Sequence, residues 1–390
     1  MWKSKFSIAF PTFIGICFIL SGFLGCNGKR SSVESEVFSG DTISISSDPD
    51  SVFAWPSLIE HEIIRLETND STSFNRVAKM YLDSGQIFIH DDRGYKIMVF
   101  EKGGSFLYKI DQRGKGPGEY IELHDFCFNQ DYTELLLLDY KKVHIFDRFS
   151  GSFKRTEPIA IPSSSGHNPL KFQLVGSDTY YFYTGNSDGR NSMSGEYFRM
   201  FKYQGKLVKE YFPYTYKVMN GNPRFVPKVS SQMEYWMIPT IGDYYLYSLS
   251  ESEVTKSVFL DFHGMGFPLA LLEEYGDVSN IDPSIKMNYF KGIILFQETN
   301  RHMYFLIGGP VYMYELLVDK DDYSIVSFGR QNPASPVIRF SDEEYFYGVA
   351  PVAPIKRLLQ KGNSGPFWKL LESEHLDEMS NDFIVKFKIE

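Results

Sequence analysis

A unit of three or four short strands recurs along this chain at a spacing of about 47 residues, and this repeat constrains the fold more than any other feature. Two copies align over residues 84–107 and 132–154. Each copy has one segment that ends in aspartate, a second that ends in phenylalanine, and a third that contains Gly-Ser-Phe. The equivalent positions lie 48, 46 and 47 residues apart: Asp91 with Asp139, Phe100 with Phe146, and Phe106 with Phe153.

Three weaker copies follow over residues 178–208, 242–262 and 292–314. Units of 40–50 residues that contain several strands are typical of β-propeller blades. One such sheet cannot bury both of its faces alone, so the blades must stack around a common axis. Residues 59–390 have room for six units, which predicts an all-β, six-bladed β-propeller.

The two ends of the propeller region both have strand patterns. Residues 61–66 near the start and 383–389 at the end are apolar or alternating. We predict that these terminal strands share one blade and so close the ring. Two inserts have helical patterns instead, over residues 268–275 and over 354–360 with 367–375.

Composition agrees with a strand-rich fold and limits the partners. Aromatic residues make up 16% of the chain, with 34 Phe and 26 Tyr, and they favour strands over helices. A net charge of -9 argues against a nucleic-acid partner, which normally binds a basic patch.

The N-terminus has the layout of a secretory signal peptide over residues 1–25, with two early lysines and then an apolar run. Phe23-Leu24-Gly25-Cys26 resembles a bacterial lipobox, which predicts lipid attachment at Cys26. Residues 26–58 are rich in Ser, Gly and Asp and predict a flexible tether. The predicted address is the cell envelope, at the outer membrane through the lipid anchor, with the membrane face left open.

The most distinctive short segment, residues 111–120, joins the first two units. A Gly-Pro-Gly-Glu sequence predicts a tight turn, with proline second and a glycine that tolerates positive φ third. A phosphate-binding loop is disfavoured because no helix and no Gly-Lys-Ser/Thr follows. A ligand contact through Arg113, Lys115 or Glu119 stays open. The predicted structural connector comprises Arg113, Gly114, Gly116, Pro117, Gly118, Glu119 and Tyr120.

Four features together resemble those of the six-bladed β-propeller lipoproteins of Bacteroidota: the lipobox, the connector, the second unit ending in Ile145-Phe146-Asp147, and the terminal strand at residues 381–385. This resemblance covers nearly the whole mature chain. Asn381-Asp382 departs slightly from the Asn-Pro that is common in that family. The family is largely of unknown function, so the resemblance implies a fold and a cellular address but no reaction.

No residue set specifies a catalytic reaction. The eight histidines form no metal motif, and there is no Gly-x-Ser-x-Gly elbow. We therefore predict no catalytic residues and no metal ligands, and we interpret His90 and His144 as ordinary blade positions. Acidic clusters at residues 91–92, 319–322 and 342–344 are interpreted as solvated loops. The lone Cys127 is interpreted as a small buried apolar residue.

Three functions remain open. The leading hypothesis is a non-enzymatic binding or scaffold module that acts through the propeller faces on a protein or glycan partner. The second is a hydrolase or lyase with a cation in the axial channel, since no cofactor motif is present and a channel-bound cation is the cofactor left to consider. The third is glycan binding, for which Tyr180-Tyr181 and Tyr244-Tyr245 are candidates.

Overall fold

The repeat folds as six four-stranded antiparallel sheets, and one of them carries an additional parallel strand. The computed structural model describes residues 38–45, 49, 51–83, 85–160, 169–185, 198–214, 224–238, 240–332, 335–350, 367 and 381–390. Two strands, β1 (Asp41–Ser44) and β2 (Leu58–Ile64), precede the first complete blade.

Blades 1 to 3 each use four strands in chain order. Blade 1 contains β3 Val77–Leu82, β4 Gln86–Asp91, β5 Lys96–Glu101 and β6 Phe106–Ile110. Blade 2 contains β7 Asp125–Phe128, β8 Glu134–Asp139, β9 Lys142–Asp147 and β10 Phe153–Pro158. Blade 3 contains β11 Lys171–Val175, β12 Thr179–Tyr183, β13 Phe198–Tyr203 and β14 Leu207–Pro213.

Blades 4 to 6 follow the same plan, and blades 4 and 6 each take one strand from the N-terminal part of the chain. Blade 4 contains β15 Arg224–Lys228, β16 Ser231–Ile238, β17 Tyr245–Leu249 and β18 Val254–Asp261, and β1 pairs with the outer edge of β18. Blade 5 contains β19 Gly292–Glu298, β20 His302–Gly308, β21 Met313–Asp319 and β22 Ile325–Arg330. Blade 6 contains β23 Val337–Ser341, β24 Phe346–Ala350, β25 Phe383–Ile389 and β2.

The predicted closure is confirmed. Strand β2 pairs with β25 in antiparallel register, with Leu58 opposite Ile389 and Ile64 opposite Ile384. Blade 6 therefore takes three strands from the end of the chain and one from its start, and the predicted six-bladed β-propeller is correct.

The core is divided among the interfaces between blades. Each of the six pairs of neighbouring blades encloses a buried apolar cluster. The inner strands are covered on both faces, which explains runs such as Leu135–Leu138 with no exposed position. Cys127 belongs to the cluster between blades 2 and 3, as a small buried side chain.

The two aspartates at equivalent positions of the repeat accept the same kind of hydrogen bond in blades 1 and 2. Asp91 ends β4 and accepts a hydrogen bond from the backbone NH of Asn75, just before β3. Asp139 ends β8 and accepts from the backbone NH groups of Ile121 and Glu122, before β7. The fourth copy differs from the sequence alignment by one strand, because residues 242–247 belong to the third strand of blade 4 and its loop.

The structure differs from the predicted tether at residues 41–45 and 51–58. Ile43 and Ile45 are fully buried where β1 pairs with β18, and Phe53 and Trp55 lie in the cluster between blades 5 and 6. The edge of β18 is available for pairing with β1, so a few apolar side chains are enough to fix this otherwise polar segment against the propeller.

The first predicted helical insert is confirmed as α1 (Leu269–Tyr275), which ends at Gly276 with φ 67°. A 3₁₀ turn at Val278–Asn280 and the short α2 (Pro283–Lys286) follow it. The second predicted insert lies outside the described residues except for Phe367, which is buried against Trp55. Cys26 and the predicted signal peptide also lie outside them.

Candidate functional site

The first strands of the blades surround the propeller axis. Neighbouring first strands contact each other around the ring, and the Lys79 ammonium links β3 to β7 by donating to the carbonyl of Phe126 at 2.5 Å. They enclose a cavity of about 60 Å³. We call this cavity, with the charged and amide side chains that line it, the channel site: Lys79, Asp125, Lys171, Gln173, Arg224, Gln297 and Arg339.

The channel site is strongly cationic. Four of its side chains are positively charged (Lys79, Lys171, Arg224 and Arg339) and only Asp125 is negatively charged. Each of the four comes from the first strand of a different blade, so residues far apart in sequence converge on one axis. A low-dielectric setting strengthens the interaction of these charges with one another and with any ion among them.

Asp125 forms an ion pair with Lys79 and attracts Lys171 electrostatically. Its Oδ1 accepts a hydrogen bond from Nζ of Lys79 at 3.0 Å, and its Oδ2 accepts from the backbone NH of Phe172 at 3.2 Å. Burial alone would raise the pKa of the Asp125 carboxyl, but Lys79 and Lys171 outweigh burial and lower it. Asp125 therefore remains ionised, and it ties blade 1 to blades 2 and 3.

Lys171 is held at the amino end of β11, where its ammonium donates to the carbonyl of His124 at 3.0 Å. Burial lowers the pKa of Lys171, and the nearby Arg224 and Lys79 lower it further. Asp125 acts in the opposite direction but does not fully compensate. The site thus retains an excess of positive charge.

The two arginines carry most of the uncompensated charge. Nη1 of Arg224 donates to the carbonyl of Ala78 at 3.0 Å. The Nε atoms of Arg224 and Arg339 are both buried and find no acceptor among the residues that the structure describes. Burial, and then repulsion by Arg339, lowers the pKa of Arg224 to about 9. Burial also lowers the pKa of Arg339.

Two groups flank the channel site. Arg76 and Asp92 form a two-contact ion pair, with Nε of Arg76 2.8 Å from Oδ1 of Asp92. His90 is fully buried, and burial with repulsion by Lys171 lowers its pKa to about 4. The neutral His90 ring hydrogen-bonds the carbonyl of Leu123 through Nε2 at 3.2 Å.

The other part of the cavity is aromatic. The ring of Tyr81 lies 4.7 Å from that of Phe128, 6.0 Å from that of Tyr132 and 5.3 Å from that of Phe340. Tyr81 follows Lys79 by two residues on β3, so the charged and aromatic portions succeed one another along the strands. The cavity is therefore polar in one part and apolar in the other.

The connector at residues 111–120 lies away from the channel site. Gly118 has φ 77°, and Glu119 accepts from the backbone NH of Gly116 at 2.7 Å. Tyr120 is fully buried between blades 1 and 2 and donates to the carbonyl of Tyr95 at 2.7 Å. The guanidinium of Arg113 stacks on the Tyr95 ring at 4.7 Å. These contacts fix the loop that joins the two blades.

The other sequence candidates also make structural contacts. Asp342, Asp319 and Asp322 each accept backbone NH groups within their own turns. Nδ1 of His144 lies 2.9 Å from Oγ1 of Thr156 on the neighbouring strand. Tyr181 is fully buried and donates to the carbonyl of Ser250, and Tyr244 donates to the carbonyl of Phe290.

The described residues contain neither a metal-binding cluster nor a membrane-spanning helix. No group of three or more His, Cys, Asp or Glu side chains there is placed to hold a metal ion. No helix in the described part of the chain has the length and hydropathy needed to cross a membrane.

The channel site was missed by sequence reasoning. Its signal is one or two charged or amide residues in an otherwise largely apolar first strand, as in β3 (VAKMYL), β11 (KFQLV) and β23 (VIRFS). The repeat is recognisable in the second and third strands, where the aspartates and phenylalanines recur, whereas the site lies on the first strands.

Comparison with known proteins identifies the family. Residues 59–388 match the family model described as Domain of unknown function (DUF4934). The chain belongs to this family. Comparison with curated proteins finds no match.

Two solved structures from Bacteroides have the same fold. One is a proposed exported protein of Bacteroides fragilis, with 18% identity and a TM-score of 0.71, covering 90% of this chain and 99% of its own. The other is a DUF4221 family member from Bacteroides vulgatus, with 10% identity and a TM-score of 0.50, covering 86% of this chain and 99% of its own. The predicted resemblance to six-bladed propellers of Bacteroidota is confirmed at the level of the fold.

Proposed function

We propose that this DUF4934 protein is an exported, lipid-anchored binding module of the cell envelope, and that the channel site binds a small anion. The observation that supports binding is the convergence of four cationic side chains on one cavity with a single carboxylate. Such an excess of like charge destabilises the empty site, and an anion between the cations would relieve it.

The two arginines indicate where the anion would bind. Nε of Arg224 and of Arg339 are buried donors that find no acceptor within the described residues, and a buried donor without an acceptor costs about 1–3 kcal/mol. An oxyanion or carboxylate supplies the missing acceptors, and guanidinium groups favour such planar, multi-contact pairing.

The size of the cavity restricts the ligand. At about 60 Å³ it holds roughly four to six water-sized positions. That space suits an inorganic oxyanion or a small carboxylate, or the charged end of a larger molecule whose remainder lies outside.

Thermal unfolding in the presence of anions tests this function. We expect phosphate, sulfate or acetate to raise the melting temperature of the wild-type protein in a concentration-dependent manner, because an anion at a hundred times its Kd adds about 2.7 kcal/mol to the free energy of unfolding. Arg224→Gln and Arg339→Gln should each abolish most of this shift. Arg301→Gln, at an arginine whose side chain is 62% exposed, is the matched control and should retain it.

The outcome of that titration is decisive in both directions. Equal shifts in wild type and in both channel variants would place anion binding elsewhere. The absence of any shift with all three anions would contradict anion binding itself.

The lipid anchor is supported by the signal-peptide layout, by the lipobox ending at Cys26, and by the proposed export of the Bacteroides fragilis relative. We expect the wild-type protein, expressed in a bacterium with lipoprotein processing, to incorporate labelled fatty acid and to sediment with membranes. Cys26→Ser should lose the label and leave the membrane fraction. Label on the variant would contradict attachment at Cys26.

The alternatives receive less support from the described residues. A channel-bound cation would be repelled by Lys79, Lys171, Arg224 and Arg339, so the charge of the site disfavours a cation-dependent hydrolase or lyase. The tyrosine pairs considered for glycan binding are engaged in packing and in hydrogen bonds to backbone carbonyls.

A further inference from the structure

Asp125 stands out because it is a carboxylate inside a site built to attract anions. It lines the cavity and is 1% exposed. Its two oxygens accept from Lys79 and from the backbone NH of Phe172, and no other described group donates to them. Each carboxylate oxygen has two lone pairs, so both can accept one further hydrogen bond.

The ionisation state of Asp125 determines which ligand groups can form a hydrogen bond with it. The neighbouring lysines keep its pKa below the usual range, so the group is ionised at neutral pH. An ionised carboxylate is only an acceptor and repels any ligand oxygen that brings no hydrogen. The Asp125 carboxylate therefore favours an anionic ligand that also carries an O–H group.

Phosphate and sulfate differ in this property while having the same shape. Inorganic phosphate retains at least one proton at neutral pH, whereas sulfate has none. A phosphate monoester loses its last proton with a pKa of about 6 and is then like sulfate in lacking an O–H.

We propose that the channel site selects hydrogen phosphate over sulfate, and that Asp125 is the specificity-determining residue, accepting the phosphate O–H while Lys171, Arg224 and Arg339 neutralise the remaining oxygens. This inference rests on the proposed anion-binding function. Discrimination between two ligands in general depends on repulsion of the wrong ligand as well as on contacts with the right one.

Calorimetric titration of the full mature chain at pH 8 with inorganic phosphate, sulfate and methyl phosphate tests the proposal. We expect phosphate to bind at least about 10-fold more tightly than sulfate, because one hydrogen bond to a charged group is replaced by a repulsion. Methyl phosphate, fully ionised at this pH, should behave like sulfate. Tight binding of sulfate or of the ester would overturn the proposal.

Two variants assign the selectivity to the carboxylate. Asp125→Asn retains an oxygen for the NH of Phe172 but presents an amide to the ligand, so the preference for phosphate over sulfate should fall to near unity. Lys79→Arg keeps the positive charge that holds Asp125 ionised, so both anions should still bind and their ratio should be preserved. Melting temperatures measured without anion show whether each variant is folded.

The outcomes separate the two proposals. If neither anion binds the wild-type protein, the anion-binding function fails. If phosphate and sulfate bind equally, or if Asp125→Asn keeps the wild-type ratio, the channel site stands and the role given to Asp125 fails.

Discussion

At the scale of the residue, the burial of His90 makes the free energy of unfolding depend on pH. It is fully buried beside the channel site, and Nδ1 of its ring has no hydrogen-bond partner among the described residues. Burial and Lys171 lower its pKa from 6.5 to about 4, although Asp125 and Asp92 oppose this shift. Between these two values the unfolded chain binds the proton more readily than the folded one, so protonation favours unfolding.

The stability from His90 is therefore complete above pH 6.5 and is lost as the pH falls toward 4. We expect the wild-type protein to lose on the order of 3 kcal/mol more free energy of unfolding over this window than His90→Gln does, measured by urea denaturation at several pH values. Burial raises the pKa of Asp243 to about 6 and of Glu315 to about 7, and these two carboxyls oppose the loss in both proteins. His90→Gln keeps a donor for the carbonyl of Leu123 but cannot titrate, and it should flatten this part of the profile. An unchanged slope in His90→Gln would contradict the assignment. Asp125 and Asp92, whose pKa values are lowered, contribute only at more acidic pH.

At the scale of the element, the connector between blades 1 and 2 depends on the conformation of one glycine. Gly118 has φ 77°, and a Cβ there would lie 2.6 Å from the ring of Phe153. We expect Gly118→Ala to lower the free energy of unfolding by at least about 2 kcal/mol, from left-handed strain and overlap together.

Gly116 is the matched control for this loop. A Cβ at Gly116 meets only the carboxylate of Glu119, at 3.1 Å, and that side chain can move. Gly116→Ala should therefore cost much less in a urea titration. Equal costs of the two substitutions would contradict the specific requirement for glycine at Gly118.

Strand β1 contributes to the propeller from outside the repeat. Ile43 is fully buried, whereas Thr42 beside it is exposed. Truncation of a buried isoleucine leaves a cavity, so Ile43→Ala should cost about 2–4 kcal/mol, while Thr42→Ala should cost about 0.5 kcal/mol or less. Chemical denaturation of both variants measures this difference, and a negligible effect at Ile43 would show that β1 is dispensable.

The same elements show what the sequence could and could not reveal. Local patterns predict the blades and α1, because alternation and turn residues lie within one unit, and the pairing of the two ends follows from the need of a ring of blades to close. The packing of Ile43 and Trp55 is not visible in the sequence, since both gain their burial from blades hundreds of residues away. The channel site was hidden for the same reason: Lys79, Lys171, Arg224 and Arg339 meet only when the ring closes.

At the largest scale, the six blades form a ring, and the channel site exists only when that ring is closed. Lys79 and Asp125 join blades 1 and 2, and Gln297 donates from blade 5 to the carbonyl of Arg339 in blade 6 at 3.2 Å. The stabilisation from the six apolar interfaces must outweigh the charge repulsion within the channel site. Closure by β2 and β25 is thus a condition for function as well as for stability.

Removal of the last strand tests this coupling. A chain that ends at Asp382 lacks β25, which lies between β24 and β2, so blade 6 is split and two sheet edges are opened. We expect loss of cooperative thermal unfolding, loss of near-ultraviolet circular dichroism and loss of anion binding together. Deletion of Glu390 alone, which lies beyond β25, should preserve all three. A truncated chain that melts cooperatively near the wild-type temperature and still binds anions would show that five and a half blades suffice to hold the site, and that the terminal strands close the ring without supporting it.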